Sequence, residues 1–414
     1  MERNLYLNKL IRKKHNGMIK VVTGLRRVGK TYLLFELFYE HLKSCGVDDA
    51  HIIKLSLDDF KNREYRNPNV LYHYVTSLII DESPYYVLLD EVQFLESFEE
   101  ILNSFLHIKN LDVYVTGSNA KFLSKDVVTE FRGRGDQITV YPLSFAEYIP
   151  YYKGDRYQAW QDYLVYGGLP KLMDIPDKED KSQYLKNLFL ETYMKDIVER
   201  NSVRSKEDLL ELLDVVASNI GCLTNPKKLS DTFKSVKQKN VHVDTIKNFL
   251  EYFEDSFLIE EAKRYDVKGR SYIGTPMKFY FTDVGLRNAR LNFRQIEETH
   301  LMENIIYNEL RVRGMDVDVG VIKSSTVDDC GKRVQKQLEI DFVCNKGSKR
   351  FYIQSALYLP DQEKKDQETR PLMLIKDSFK KIIVNKDGPT HYDDNGVLIT
   401  NIYDFLLNEN SLDY

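Results

Sequence analysis

The chain has 414 residues, 43% of them hydrophobic and 29% charged, with a formal net charge of −4. That length exceeds one ordinary core and predicts two or three domains of a soluble globular protein. The mild negative balance excludes a protein that coats nucleic acid through its global field, though it leaves room for a local basic surface. Cys45, Cys222, Cys330 and Cys344 stand far apart with no C-x-x-C pair, so reduced thiols are expected rather than a zinc site or a disulfide framework. The first twenty residues are broken by charge, and no run reaches the ~18 apolar residues of a membrane span. A cytoplasmic protein with no membrane partner is the expectation.

Residues 18–140 alternate short apolar runs with helical patterns. Strands are predicted over 19–23, 51–56, 85–89, 112–116 and 137–141, and a helix over 31–43 from the spacing of Leu33, Leu34, Leu37, Phe38 and Leu42. Continuous apolar stretches such as Tyr86-Val87-Leu88-Leu89 suit strands covered on both faces, which predicts a three-layer α/β domain with a parallel sheet. After Pro150 the pattern turns helical, with helices predicted over 206–220, 228–238 and 244–257. In the last, Ile246, Phe249, Leu250, Phe253 and Phe257 share a face, and Asp244 is a plausible cap. Apolar segments 257–265 and 278–282 follow, joined by a polar turn; three helices and a hairpin are the arrangement of a winged helix. The remainder predicts one helix over 301–313 and strands near 317–323, 337–344 and 349–356, a small mixed α/β segment.

Gly24-Leu25-Arg26-Arg27-Val28-Gly29-Lys30-Thr31 fits G-x-x-x-x-G-K-[ST] between a predicted strand and a predicted helix. Glycines let the backbone curl so that its N–H groups face phosphate oxygens, and the helix N-terminus adds a favourable dipole. Lys30 would reach the β- and γ-phosphates and Thr31 would ligate magnesium. Gly24, Val28, Gly29 and Tyr32 complete the expected ATP contacts, while Arg26 and Arg27 either touch phosphate or face solvent. Tyr85-Tyr86-Val87-Leu88-Leu89-Asp90-Glu91 is an apolar strand ending in two acids. Asp90 would hold the magnesium shell, and Glu91 would orient the attacking water. Another strand ends in Thr116-Gly117-Ser118-Asn119, where Asn119 or Ser118 would sense the γ-phosphate. Phe131-Arg132-Gly133-Arg134-Gly135 holds two arginines that are either solvated or act across a subunit boundary, which implies a homo-oligomer.

With these motifs the chain resembles a bacterial and archaeal family of AAA-type ATPases that carry a companion C-terminal domain. Further matching pieces are Pro142-Leu143-Ser144-Phe145, Gly167-Gly168-Leu169-Pro170, Phe279-Tyr280-Phe281-Thr282-Asp283-Val284-Gly285-Leu286 and Leu338-Glu339-Ile340-Asp341-Phe342. The resemblance implies an ATPase core over 1–150, a helical connector over 151–204, a winged helix over 205–290 and a restriction-endonuclease-like fold over 291–414. An active nuclease of that fold needs a helix Glu, a strand Asp and then D/E-x-K. Glu303 or Glu309 and Asp341 fill the first two places, but Gln354-Ser355-Ala356 stands where the third belongs. An amide lacks the carboxylate's charge and alanine cannot activate water, so a scaffold without cleavage is expected. Lys227, Lys228, Lys234, Lys237 and Lys239 form a basic segment for DNA phosphates, opposed by Glu251, Glu254 and Asp255 on the next helix. Asp283 and Gly285 read as a structural turn after a buried strand.

The resulting expectation is a magnesium-dependent ATPase coupling hydrolysis to conformational change. Its rivals are a DNA-directed motor or nuclease-related protein and an ATP-gated switch read by a protein partner. A small-molecule kinase lacks any recognisable acceptor site.

Overall fold

The structure is a computed structural model that describes residues 1–117, 133–236, 238–327 and 333–413. Met1–Pro142, with Asp255–Phe257, forms one compact unit; Leu143–Glu254 and Leu258–Tyr414 form a second.

The first unit is built on a parallel sheet of β1 (Ile19–Thr23), β2 (Ile52–Ser56), β3 (Tyr85–Asp90), β4 (Leu111–Thr116) and β5 (Gly135–Thr139), in the order β2-β3-β4-β1-β5. Every residue of β1, β3 and β4 is buried, as the uninterrupted apolar runs require of strands covered on both faces. Val21, Val87, Leu89, Val113 and Val115 meet Leu71, Val75, Leu102 and Phe105 from the helices Pro68–Leu78 and Phe98–Phe105 in one core. Insertion of β4 between β1 and β3 sets the carboxyl ends of these three strands side by side. The predicted strands are all present with ends shifted by a few residues: His51 belongs to a short turn before β2, and β5 begins at Gly135. The helix after β1 starts at Lys30, widens into π-type turns over Leu33–Phe38 and tightens again over Tyr39–Ser44.

The second unit begins with helices and ends in a mixed sheet. Asp155 and Asp177 cap the helices Arg156–Tyr166 and Lys178–Leu188 by accepting backbone N–H bonds. The three predicted helices follow as Lys206–Ser218, Pro226–Val236 and Val243–Asp255. Strands β6 (Ile259–Asp266), β7 (Ser271–Phe281), β8 (Asp316–Val327), β9 (Arg333–Lys346), β10 (Lys349–Ala356), β11 (Lys380–Asn385), β12 (His391–Tyr392) and β13 (Leu398–Asn401) form one sheet ordered β12-β13-β11-β10-β9-β8-β6-β7. The β6–β7 hairpin, read as the wing of a region ending near 290, pairs through β6 with β8 in parallel, Arg264 opposite Val319. One sheet therefore spans the boundary drawn at 290/291. Sequence periodicity identifies a hairpin but carries no information about which distant strand its open edge meets.

Candidate functional site

The P-loop follows β1, and three of its residues adopt left-handed backbone: Gly24 (φ 131°), Arg27 (φ 66°) and Gly29 (φ 92°). A Cβ on Gly24 would sit 2.1 Å from the Val140 carbonyl oxygen, so only glycine fits there. Leu25 and Val28 turn into the core, which leaves the Val28 backbone rather than its side chain to face a ligand. Arg27 and Tyr32 are exposed and Arg26 is half-buried. Lys30 is buried, its ammonium donating to the carbonyl oxygens of Gly24 and Leu25, both at 3.0 Å. Burial pushes its pKa down to about 8, against the opposing pull of Glu91 and Asp90.

Thr31 is the second residue of the helix, and its hydroxyl donates to both carboxylate oxygens of Asp90, at 3.1 and 2.9 Å. Asp90 ends β3 and is buried; that burial raises its pKa, partly offset by hydrogen bonds from Thr116 and Thr31. Glu91 sits in a left-handed conformation (φ 53°), which turns the chain sharply after β3, and its carboxylate accepts a bond from the Gln93 side-chain amide. The register of β3 against β4 puts Thr116 beside these two acids. Its hydroxyl donates to Asp90 and accepts the Glu91 backbone N–H at 2.9 Å. The motif alone points to Ser118 or Asn119 rather than Thr116, and only strand pairing brings Thr116 to the site. Ser118, Asn119 and Arg132 lie outside the described residues.

A second contributor invisible in the motifs is Arg3. Buried ahead of the helix Asn4–Arg12, it donates to the carbonyl oxygens of Val28 at 3.1 Å and Tyr141 at 2.6 Å. It thereby ties the P-loop to the chain leaving β5. A lone arginine near a terminus gives no sequence signal for such a role.

Arg134 is exposed and immediately precedes β5, its carbonyl accepting the Ile19 N–H at 2.9 Å. That is the amino end of β1, whereas the P-loop follows its carboxyl end. At ~3.3 Å per residue the five-residue strand separates them by on the order of 15 Å. Arg134 cannot serve the P-loop of its own subunit.

Clustered hydroxyl and carboxylate oxygens at Thr31 and Asp90 are the hard donors magnesium takes, and the P-loop N–H groups and Lys30 suit a triphosphate. The residues present fit Mg-ATP.

In the second unit, Glu303 and Asp341 do come together. Between them lies the buried Lys278 ammonium from β7, 2.9 Å from Glu303, 2.7 Å from Glu339 and 3.7 Å from Asp341. Burial opposes charge on Lys278, but the three carboxylates outweigh it and hold the ammonium protonated. Burial and the neighbouring Glu303 push the Asp341 carboxyl up to about 8. Gln354 accepts the Asp341 backbone N–H at 3.3 Å. Glu309, the other candidate helix acid, is instead paired with Arg313 at 2.7 Å. Asp283 is structural: it caps the helix Val284–Arg290 through Leu286 and accepts the Gly168 N–H at 2.8 Å. A Cβ on Gly285 would lie 1.9 Å from the Tyr166 carbonyl oxygen, so the Gly167-Gly168 and Asp283–Gly285 motifs are two halves of one close packing contact.

Of the basic segment, Lys239 is engaged with Glu207, Asp208 and Glu211 at 3.3–3.5 Å, and Lys237 lies outside the described residues. Cys45, Cys222 and Cys344 are free thiols; Cys330 lies outside the described residues. Among the described residues no helix is long and apolar enough to cross a membrane.

Residues 16–149 match the family described as an AAA domain, and residues 157–297 match a domain of unknown function (DUF8612). An uncharacterised protein of Haemophilus influenzae is 30% identical over 413 residues, 98% of each chain. One from Methanocaldococcus jannaschii is 26% identical over 392 residues, 89% of this chain and 83% of its own. Among solved structures, the Aeropyrum pernix ORC1 protein in complex with DNA aligns over 70% of this chain and 92% of its own, at 11% identity and a TM-score of 0.33, too distant a likeness to carry an argument. With a parallel P-loop sheet at its start and a full-length relative at that identity, the chain belongs to the family of AAA-type P-loop ATPases in which the AAA domain is followed by this domain of unknown function.

Proposed function

We propose that the protein hydrolyses ATP with magnesium and couples turnover to conformational change. The observation that carries the reading is the meeting of Thr31 and Asp90 within 2.9–3.1 Å, beside a P-loop lysine and directly ahead of Glu91. Gly24, Gly29 and Lys30 would bind the phosphates, and Thr31 and Asp90 would hold magnesium. What the metal supplies when bound is neutralisation of charge on the phosphate oxygens. Glu91 then orients water and takes its proton at a carboxylate oxygen, while Thr116 fixes the backbone on which that carboxylate rides. Asn119 or Ser118 remains the proposed γ-phosphate sensor.

Arg134 is exposed at the far end of the sheet from its own P-loop, so either it is solvated or, as we propose, Arg132 or Arg134 acts in trans in a homo-oligomer. The nuclease-like region acts as a scaffold in this reading, since Gln354-Ser355-Ala356 stands where D/E-x-K belongs and the acids Glu303 and Glu339 are already paired with Lys278. DNA binding through the 227–239 lysines has weaker support, because Lys239 is already neutralised by three acids. An ATP-gated switch read by a protein partner would use the same nucleotide site with slow turnover.

The test compares wild type with Glu91→Gln and Lys30→Ala in calorimetric Mg-ATP binding and phosphate release. Glu91→Gln should bind nucleotide and turn over slower by about 10²-fold or more; Lys30→Ala should lose binding. Wild-type turnover in Glu91→Gln would end the assignment of that carboxylate.

A further inference from the structure

A recess of about 980 Å³ opens in the second unit, where three connections converge: the β6–β7 turn, the β9–β10 turn and the segment leading into β11. Five of its lining side chains are cationic (Lys268, Arg270, Lys349, Arg350 and Lys376), against the single carboxylate Asp377. Asp377 is occupied, accepting the Tyr352 hydroxyl at 2.7 Å. Lys349 reaches the exposed Asp413 at 2.7 Å, whereas Lys268, Arg270 and Lys376 have no carboxylate partner among the described residues. This concentration of positive charge stands on a chain whose net charge is −4.

The floor is of opposite character. Val267 and Ile375 are buried and continue into the apolar core beneath the sheet. Tyr265 and the exposed Phe379 flank Arg350, whose guanidinium lies 5.4 Å from one ring centroid and 5.5 Å from the other. Cations at the rim meet phosphates, and an aromatic and guanidinium floor accepts the face of a base. A duplex keeps its bases stacked inside and cannot present one to such a recess, whereas a single strand can.

We infer that this recess binds single-stranded nucleic acid, with Lys268, Arg270 and Lys376 on backbone phosphates and an unstacked base against Phe379 and Arg350. The inference uses no residue of the nucleotide site and stands apart from the ATPase reading.

The experiment is fluorescence anisotropy of the full-length protein with a labelled oligothymidylate of about 20 nucleotides, titrated across salt concentrations. Wild type should bind with a Kd of about 10⁻⁶–10⁻⁴ M at physiological salt and more tightly as salt is lowered. The triple reversal Lys268→Glu, Arg270→Glu and Lys376→Glu alters exposed side chains only and should leave thermal melting unchanged. It should weaken binding at least ~tenfold and flatten the slope of log K against log salt by about 2, from ~0.7 per cation lost. Phe379→Ala should weaken binding by roughly tenfold with the salt slope unchanged. Three results would each overturn the inference: no binding by wild type at about 10⁻⁴ M, undiminished binding by the triple variant, or tighter binding of duplex DNA, a mononucleotide or polyglutamate than of the oligonucleotide.

Discussion

Replacing Thr116 with valine removes one hydroxyl from the nucleotide site while keeping its shape. That hydroxyl donates to the buried Asp90 carboxylate and accepts the Glu91 N–H at 2.9 Å, so two acids from one strand are held by a single atom on the next. A hydrogen bond to a charged group contributes about 1.5–3 kcal/mol, and an unpaired buried N–H costs about 1–3 kcal/mol. Partial relaxation makes the sum smaller than both maxima, so urea unfolding should show a loss of about 2–4 kcal/mol. The left-handed Glu91 backbone has Thr116 as a tether, and its release should misplace the carboxylate relative to the attacking water. If about 1.5–3 kcal/mol of that hold is expressed in the transition state, phosphate release slows by roughly 10–150-fold while Mg-ATP binding changes far less. Thr116→Ser keeps the hydroxyl and should recover most of both losses. Turnover within twofold of wild type in Thr116→Val, with stability also unchanged, would refute the bridging role.

Two further outcomes follow from particular contacts. Arg3→Met keeps the aliphatic stem but abandons the Val28 and Tyr141 carbonyls; it should destabilise the first unit by about 2–5 kcal/mol and weaken nucleotide binding, as read by chemical denaturation and calorimetry. Burial raises the Asp283 pKa to about 6 from an ordinary 3.8, despite bonds from Gly168, Leu286 and Gly285. The native state then holds this proton more tightly than the unfolded chain, so the stability it contributes is full below about pH 4 and is lost as pH rises through about 6, by up to about 3 kcal/mol. In Asp283→Asn the stability profile between those pH values should be flatter than in wild type; an unchanged profile would remove Asp283 as its source.

The sequence by itself determined the local geometry of the first unit's candidate site. The loop from Gly24 to Thr31 and the acids Asp90 and Glu91 are local signatures: left-handed glycines, a helix start and a strand end are fixed by neighbours in the chain, so their meaning survives without coordinates. Uninterrupted apolar runs likewise announced strands buried on both faces, as β1, β3 and β4 are, and all five strands of the sheet stand near the expected places. Tertiary structure decided what depends on distant segments meeting. Thr116 reached Asp90 and Glu91 through parallel pairing of β3 with β4, Arg3 reached the P-loop from the start of the chain, and Arg134 was carried to the wrong end of the sheet for its own site. In the second unit Lys278 came from the hairpin to lie among Glu303, Glu339 and Asp341, because β6 found β8 across about fifty intervening residues. Periodicity specifies which face of an element is apolar; only packing of the whole chain specifies which edge that element meets, and so which charges become neighbours.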